Sequence, residues 1–346
     1  MYKNKIIQDD LKIIIDQDIK FDVLKNKKIL ITGATGMLAS YYMYVLMYLN
    51  DKFDYNIKIY ALVRNKEKLE KITGYSLRND IIVVEQDVCS KIKIEEKIDY
   101  IIHMASSANP ATITTNPVGI INANVIGTLN VLELAKKYNS QVIFTSTREV
   151  YGKMDENKEE IFETDMGILD CTELRSCYPE SKKMAENLIV SYAYQYGIKY
   201  KIARIAHSYG PGMIIHNDGR IMSDLISNIV NGENIILKSN GEAKRAFCYI
   251  MDAITALIRI TVNEKENEIY NVANETEEIS IRDLAYSLKE WYKEKNIDVI
   301  FQIQENNNQY VKFKRTKLNT RKIESIGWKP VIKLKNGINK TVKYFL

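Results

Sequence analysis

The chain has 346 residues, 46% hydrophobic and 27% charged, enough for a substantial core in one large domain or two coupled lobes. Lys+Arg 49 against Asp+Glu 44 leave a formal net charge of +5, and lysines and acids are mixed along most of the chain. So small and dispersed a surplus is weak evidence for nucleic acid. Cys89, Cys171, Cys177 and Cys248 form no CxxC pair and no His/Cys spacing, so neither a disulfide scaffold nor a metal site is expected.

The opening MYKNKIIQDDLKIII carries acids where a signal peptide needs an uninterrupted apolar region. No stretch approaches the length of a membrane span, and the most apolar candidate, Met37 to Leu49, is short and tyrosine-rich. A cytoplasmic protein without membrane or nucleic-acid partners is expected.

Residues 1–25 are predicted to form a helical arm, because Ile6, Ile7, Leu11, Ile14 and Ile15 recur at roughly helical spacing. The arm packs either on the body or on a partner subunit. The strand KKILIT follows, runs into GATG, and leads to a helix from Met37 to Leu49. Then come the strand NIKIYALV, the polar helix KEKLEKI, and the strands IIVVEQD and YIIHMAS. A helix from Asn124 to Lys137, the strand QVIFTST, a helix from Pro179 to Tyr196 and the strand KYKIARIA complete the series. Short apolar strands alternating with helices predict an α/β fold: a doubly wound parallel sheet of Rossmann type, covered on both faces. Residues 26–205 read as the dinucleotide-binding domain carrying the tyrosine helix. Residues 206–346 read mainly as a smaller C-terminal substrate-binding lobe, with some segments returning to the main sheet. In that lobe ISIRDLAYSLKEWYKE is an amphipathic helix, with Ser280 as N-cap and Asp283 three residues on. Trp291 and Trp328 read as packing residues.

Gly33, Gly36 and Ala39 lie between the first strand and its helix. Glycine permits a tight turn and close approach of a pyrophosphate to the free amides of the helix start, with Thr35 and Met37 in the same turn. Asp87, followed by Val88, ends the third strand, where its carboxylate can accept from an adenine amino group. The second strand ends in Val63 and Arg64, with no acid for the adenosine ribose. Arg64 suits either a 2′-phosphate or stacking on adenine, so NAD is expected and NADP stays open.

Tyr178 and Lys182 form a YxxxK pair on one helical face. The lysine charge lowers the tyrosine pKa, and the tyrosinate can take a proton from a sugar hydroxyl as hydride leaves. Thr147 ends the strand QVIFTST and can hydrogen-bond the same hydroxyl. Glu149 is either an acid or base beside a ketone, or the partner of Arg148 in a salt bridge. His216, Asn217 and Asp218 read as a surface loop cluster.

These residues, with NVIGTLNVLELAKK, TSTREVYG, ARIAHSYGPG and YNVA, resemble the extended short-chain dehydrogenase/reductase family, in its nucleotide-sugar epimerase/dehydratase/decarboxylase group. The resemblance spans residues 26–335. It implies a bound dinucleotide, a nucleotide sugar under the C-terminal lobe, and a homodimer through helices that include the tyrosine helix, with Met184, Leu188 and Tyr192 as a candidate face. RSCYPESKKMAE, NDGRIMSDLI and RAFCYIMD look nearest to UDP-glucuronate decarboxylases. By this resemblance Arg245 faces a phosphate or carboxylate, Asn124 orders the active-site backbone, and His103 and Ala105 lie at the cofactor edge. Ser107, Arg148, His207 and Arg220 are expected at the substrate.

Arg148 replaces the usual serine of TSE or aspartate of TDE, His207 replaces a substrate-facing asparagine, and Gly212 stands where arginine is common. Arg148 can hold a sugar carboxylate or block the decarboxylase geometry. His207 can bond a uracil or a sugar hydroxyl, or be a satisfied core histidine. Decarboxylation of a UDP-uronic acid ranks first among the expected reactions, ahead of 4,6-dehydration and 4-epimerisation, all through transient oxidation at C4. A catalytically impaired sugar-nucleotide-binding protein is the non-enzyme alternative.

Overall fold

The computed structural model describes residues 1–106, 109–216, 218–303 and 315–346. The chain runs through α1 (Lys5–Ile15), β1 (Lys28–Thr32), α2 (Met37–Phe53), β2 (Lys58–Val63), α3 (Lys66–Thr73), β3 (Ile81–Glu85), β4 (Tyr100–His103), α4 (Pro110–Thr115), α5 (Pro117–Tyr138) and β5 (Gln141–Thr147). β6 (Glu160–Ile161), α6 (Cys177–Tyr196), β7 (Tyr200–Ile205), β8 (Ser208–Tyr209), α7 (Ile221–Asn231), β9 (Ile235–Leu237), β10 (Lys244–Ala246), β11 (Cys248–Tyr249) and α8 (Ile250–Val262) follow. The last part holds β12 (Glu268–Val272), β13 (Glu278–Ser280), α9 (Ile281–Trp291), β14 (Val299–Phe301), β15 (Lys317–Leu318), α10 (Arg321–Glu324) and α11 (Leu334–Phe345).

Seven strands form one parallel sheet in the order β12-β7-β5-β4-β1-β2-β3. β1 and β5 are buried along nearly their whole length, as strands covered on both faces must be. Val131 and Leu132 of α5 and Ala185 and Ile189 of α6 cover one face with Leu30 and Ile101. Tyr42 and Leu46 of α2 and Ile254 and Ile258 of α8 belong to the core on the other. Strand order reverses between β1 and β4, so their carboxyl ends open a crevice where loops reach a ligand.

Two expectations need correction. α5 has 22 residues and is long and apolar enough to cross a membrane by length and composition, contrary to the reading that no stretch approached a span. It packs against α6 as a core layer and buries Asn124 and Thr128, and its apolarity comes from that role. It also begins before Asn124, because Pro117 takes the first helical turn and the Asn116 side chain accepts from Gly119 N at 3.1 Å.

The N-terminal arm packs on the body, burying Ile7, Leu11 and Ile14. Asp10, fully buried on the same face, accepts from Tyr41 Oη at 2.7 Å and Tyr249 Oη at 2.8 Å and pairs with Lys340. One carboxylate thus ties the arm to α2, β11 and α11. In the C-terminal part, Ser280 Oγ caps α9 by accepting from Asp283 N at 3.0 Å. Trp328 is fully buried and donates to the Asp252 carbonyl at 2.9 Å.

Candidate active site

The turn after β1 is built for close approach. Gly33 has φ +66°, and a Cβ there would lie 2.8 Å from Ala105 Cα. Ala105 therefore closes this turn from the β4 side. Gly36 caps α2 without a side-chain bond, which leaves the first amides of a 17-residue helix for an anion. Thr35 and Met37 flank them, half-buried, and Ala39 is buried beneath. These residues fit the pyrophosphate of a dinucleotide.

Beneath the turn, Thr32 Oγ1 accepts from Met104 N and Ala105 N, each at 3.1 Å, and meets His103 Nδ1 at 2.7 Å. His103 Nε2 meets Thr128 Oγ1 at 3.0 Å. His103 is buried and its pKa is pushed down to about 3, first by burial and then by the Lys182 charge. It is a neutral strut between β1, β4 and α5, one layer under the cofactor edge where it was expected.

At the far end Arg64 is exposed, and Asn65 beside it caps α3 by accepting from Lys68 N at 2.7 Å. Asp87 accepts from Cys89 N at 2.8 Å, and the charges of Asp87 and Arg64 both act on the Cys89 thiol. The structure thus brings Arg64 and Asp87 together. Val88 is buried against Gly127 instead, and its carbonyl accepts from Asn130 at 2.9 Å.

Tyr178 and Lys182 project from one face of α6, both buried. Lys182 donates to the Thr145 carbonyl at 2.8 Å and lies 4.4 Å from the centre of the Phe144 ring. Burial draws its pKa down to about 7, partly offset by Glu186. Burial and the Glu149 charge push the Tyr178 phenol up, and a hydrogen bond with Thr147 opposes them. Thr147 Oγ1 also accepts from Glu149 N at 3.2 Å. Behind this group Arg204 holds Glu186 through two contacts, at 3.1 and 2.6 Å. Asn124 donates to Ser181 Oγ at 2.9 Å, and its buried Oδ1 has no partner among the described residues. Tyr178, Thr147 and Glu149 thus meet around one point, with Lys182 one helical turn away on the face of α6 that carries Tyr178, an arrangement suited to moving a proton to or from a bound hydroxyl.

Glu149 pairs with Arg175 at 3.3 Å, so the alternative pairing with Arg148 is not made. Arg148 instead donates to the Thr316 carbonyl at 3.1 Å. His207 adopts φ +44°, and among the described residues its buried Nε2 finds no hydrogen-bond partner. Burial and the charges of Arg148, Arg245 and Arg315 hold it neutral. Arg245, on β10, donates to the Lys244 carbonyl at 2.8 Å. Arg220 pairs with Asp218 and its charge reaches Tyr178. Asp218 is buried and also accepts from Asn109 at 2.9 Å and Ser223 at 2.8 Å, so it is an internal anchor and no surface-loop acid. Ser107 lies outside the described residues. Arg315 escaped the sequence reading, and only its place in the basic run KFKRTK marked it.

A sheet whose switch point faces a Tyr–Lys pair defines a short-chain dehydrogenase/reductase architecture. The model of the NAD dependent epimerase/dehydratase family matches residues 29–273, and the chain belongs to that family. It is 35% identical over 313 residues to UDP-glucuronic acid decarboxylase 6 of Arabidopsis thaliana, covering 90% of this chain and 87% of that one. Against UDP-glucuronic acid decarboxylase 1 of Xenopus tropicalis the identity is 32% over 321 residues, covering 92% and 72%. Among solved structures, UDP-glucose 4-epimerase of Thermotoga maritima with UDP-glucose superposes with TM-score 0.76 at 22% identity, covering 92% and 98%. A dTDP-glucose 4,6-dehydratase of Streptomyces venezuelae with NAD bound gives TM-score 0.74 at 20% identity, covering 92% and 96%. Those two structures share the fold. The chain is an NAD-dependent enzyme that modifies nucleotide sugars.

Proposed function

We propose that this enzyme removes carbon dioxide from a UDP-uronic acid by transient oxidation at C4. The observation that carries this reading is the intact Thr147–Glu149–Tyr178–Lys182 group in a chain 35% identical to a UDP-glucuronic acid decarboxylase over 90% of its length.

Bound NAD supplies reversible acceptance of the C4 hydride. This chain's side chains do the rest. Lys182, held against Thr145, places positive charge on the tyrosine face and favours the tyrosinate. Tyr178 takes the proton of the C4 hydroxyl, and the Thr147 hydroxyl fixes that oxygen. The carboxylate on C5 is then β to a ketone, so its bond breaks with the electron pair passing into the C4–C5 enolate. Glu149, half-exposed beside Tyr178, is placed to handle the proton that C5 then acquires. Arg245 supplies charge that a diphosphate needs.

The same reading includes a cytoplasmic homodimer formed through α5 and α6. Met184 and Val190 expose apolar surface on α6, and Leu129 does so on α5. Leu188 and Tyr192 pack against the chain's own core, with Tyr192 donating to Glu133 at 2.6 Å, so of the three expected residues Met184 is the exposed one. Light scattering of the purified protein tests the dimer.

The reaction is tested by incubating the purified protein with UDP-glucuronate and neutral UDP-, GDP- and dTDP-hexoses in the presence of NAD. A product lighter by one carbon dioxide, from UDP-glucuronate alone, is expected. A product lighter by one water from a neutral hexose contradicts it.

A further inference from the structure

Arg148 begins the turn after Thr147, and burial draws its pKa down to about 10, with Arg315 and Arg245 adding to the fall. Two carboxylates, Glu275 and Glu149, bear on its charge, and each is committed elsewhere. Glu275 pairs with Arg315, which also holds Glu278 at 2.7 Å, and Glu149 pairs with Arg175 at 3.3 Å. Among the described residues Arg148 makes no salt bridge. Its hydrogen bond to the Thr316 carbonyl, a neutral acceptor, adds no counter-charge. Beside it lies His207, whose Nε2 has no partner among the described residues and on which Arg148, Arg245 and Arg315 all act.

A desolvated guanidinium without a counter-charge is costly unless a ligand brings one. Arg315 is held by Glu275 and Glu278, Arg245 suits a diphosphate, and Arg148 is a further cation one residue from the hydroxyl assigned to the sugar C4 oxygen. A planar guanidinium matches a carboxylate through two parallel hydrogen bonds.

We propose that Arg148, with His207 beside it, binds the carboxylate of an acidic sugar nucleotide and selects uronic acids over neutral hexoses. This rests on the reading that the chain takes UDP-sugars, and it holds whether or not carbon dioxide is subsequently lost.

The test is calorimetric titration of NAD-loaded protein with UDP, UDP-glucose and UDP-glucuronate, in a Tyr178→Phe background so that the ligands survive. UDP-glucuronate is expected to bind about tenfold or more tighter than UDP-glucose. Arg148→Ser should remove that preference and leave UDP unchanged. His207→Asn should reduce it in part. If the serine variant does not fold, Arg148→Gln, which keeps a donor for Thr316, carries the same comparison. A preference that survives the substitution overturns the proposal. So does an equal loss for UDP, which would put Arg148 on the diphosphate. Protein that binds none of the three ligands sinks the UDP-sugar reading itself, a result distinct from either of these.

Discussion

The Lys182 ammonium donates to the Thr145 carbonyl at 2.8 Å, which sets the lysine against the end of β5 and holds it on the tyrosine side of the crevice. Ser146 and Arg204 both reach Glu186, one helical turn beyond that lysine, so strand and helix are clamped at the point where the chemistry needs them fixed. Proton transfer by a positioned side chain contributes about 10²–10⁴-fold to rate. Tyr178→Phe is therefore expected to lower kcat by about that factor while the protein still binds NAD, as checked by turnover and by cofactor fluorescence.

Glu186→Gln should act through position and charge. It leaves Arg204 buried beside a neutral amide, which costs about 3 kcal/mol in denaturant unfolding. It also removes a carboxylate that supports the Lys182 charge. Activity is expected to fall with an altered pH profile, and a variant that loses stability with an unshifted profile would make Glu186 a purely structural residue.

His103 gives a pH signature of stability. Its folded pKa of about 3 lies below the ordinary 6.5, so the unfolded chain binds a proton that the native protein refuses. The contribution is complete above pH 6.5 and is lost as pH falls towards 3. His103→Gln should flatten the acid side of a plot of Tm against pH.

Asp10 anchors the arm. Asp10→Ala strands two buried tyrosine hydroxyls and Lys340, and roughly 2–3 kcal/mol of stability should be lost. Proteolysis within residues 1–25 should quicken in parallel.

The parts of the fold and site that could be read in the sequence are those whose chemistry is local. Gly33 and Gly36 follow an apolar strand, Tyr178 and Lys182 share a helix face at four-residue spacing, and Ser280 caps the helix that its own neighbours announce. The parts that could not be read are polar pairings across long separations. Asp10 finds Lys340 and Glu275 finds Arg315, and in a chain so rich in charge nothing local singles those residues out. His103 shows the intermediate case: its strand was legible, but only the packed neighbours Thr32 and Thr128 put it beneath the cofactor turn. Adjacent residues can mislead as well, since Glu149 turns to Arg175 instead of to Arg148.

The cofactor preference can be tested at Arg64. It is exposed near Asp87 with no acid ending β2, so Arg64→Ala should weaken NADPH binding by roughly tenfold, the loss of one charge-assisted contact, and NADH binding less. Fluorescence titration with both nucleotides reads the difference, and equal losses would assign Arg64 to adenine stacking.

The reaction proposed for this enzyme is transient oxidation with loss of the sugar carboxylate. It is tested most directly with UDP-glucuronate isotopically labelled at C6 and a substoichiometric amount of NAD, following labelled carbon dioxide and nicotinamide absorbance together. Many equivalents of labelled carbon dioxide per NAD, with no lasting reduced nicotinamide, is the expected result. Label retained in a sugar nucleotide of unchanged mass whose C4 configuration is inverted by NMR would contradict it and identify the enzyme as a 4-epimerase.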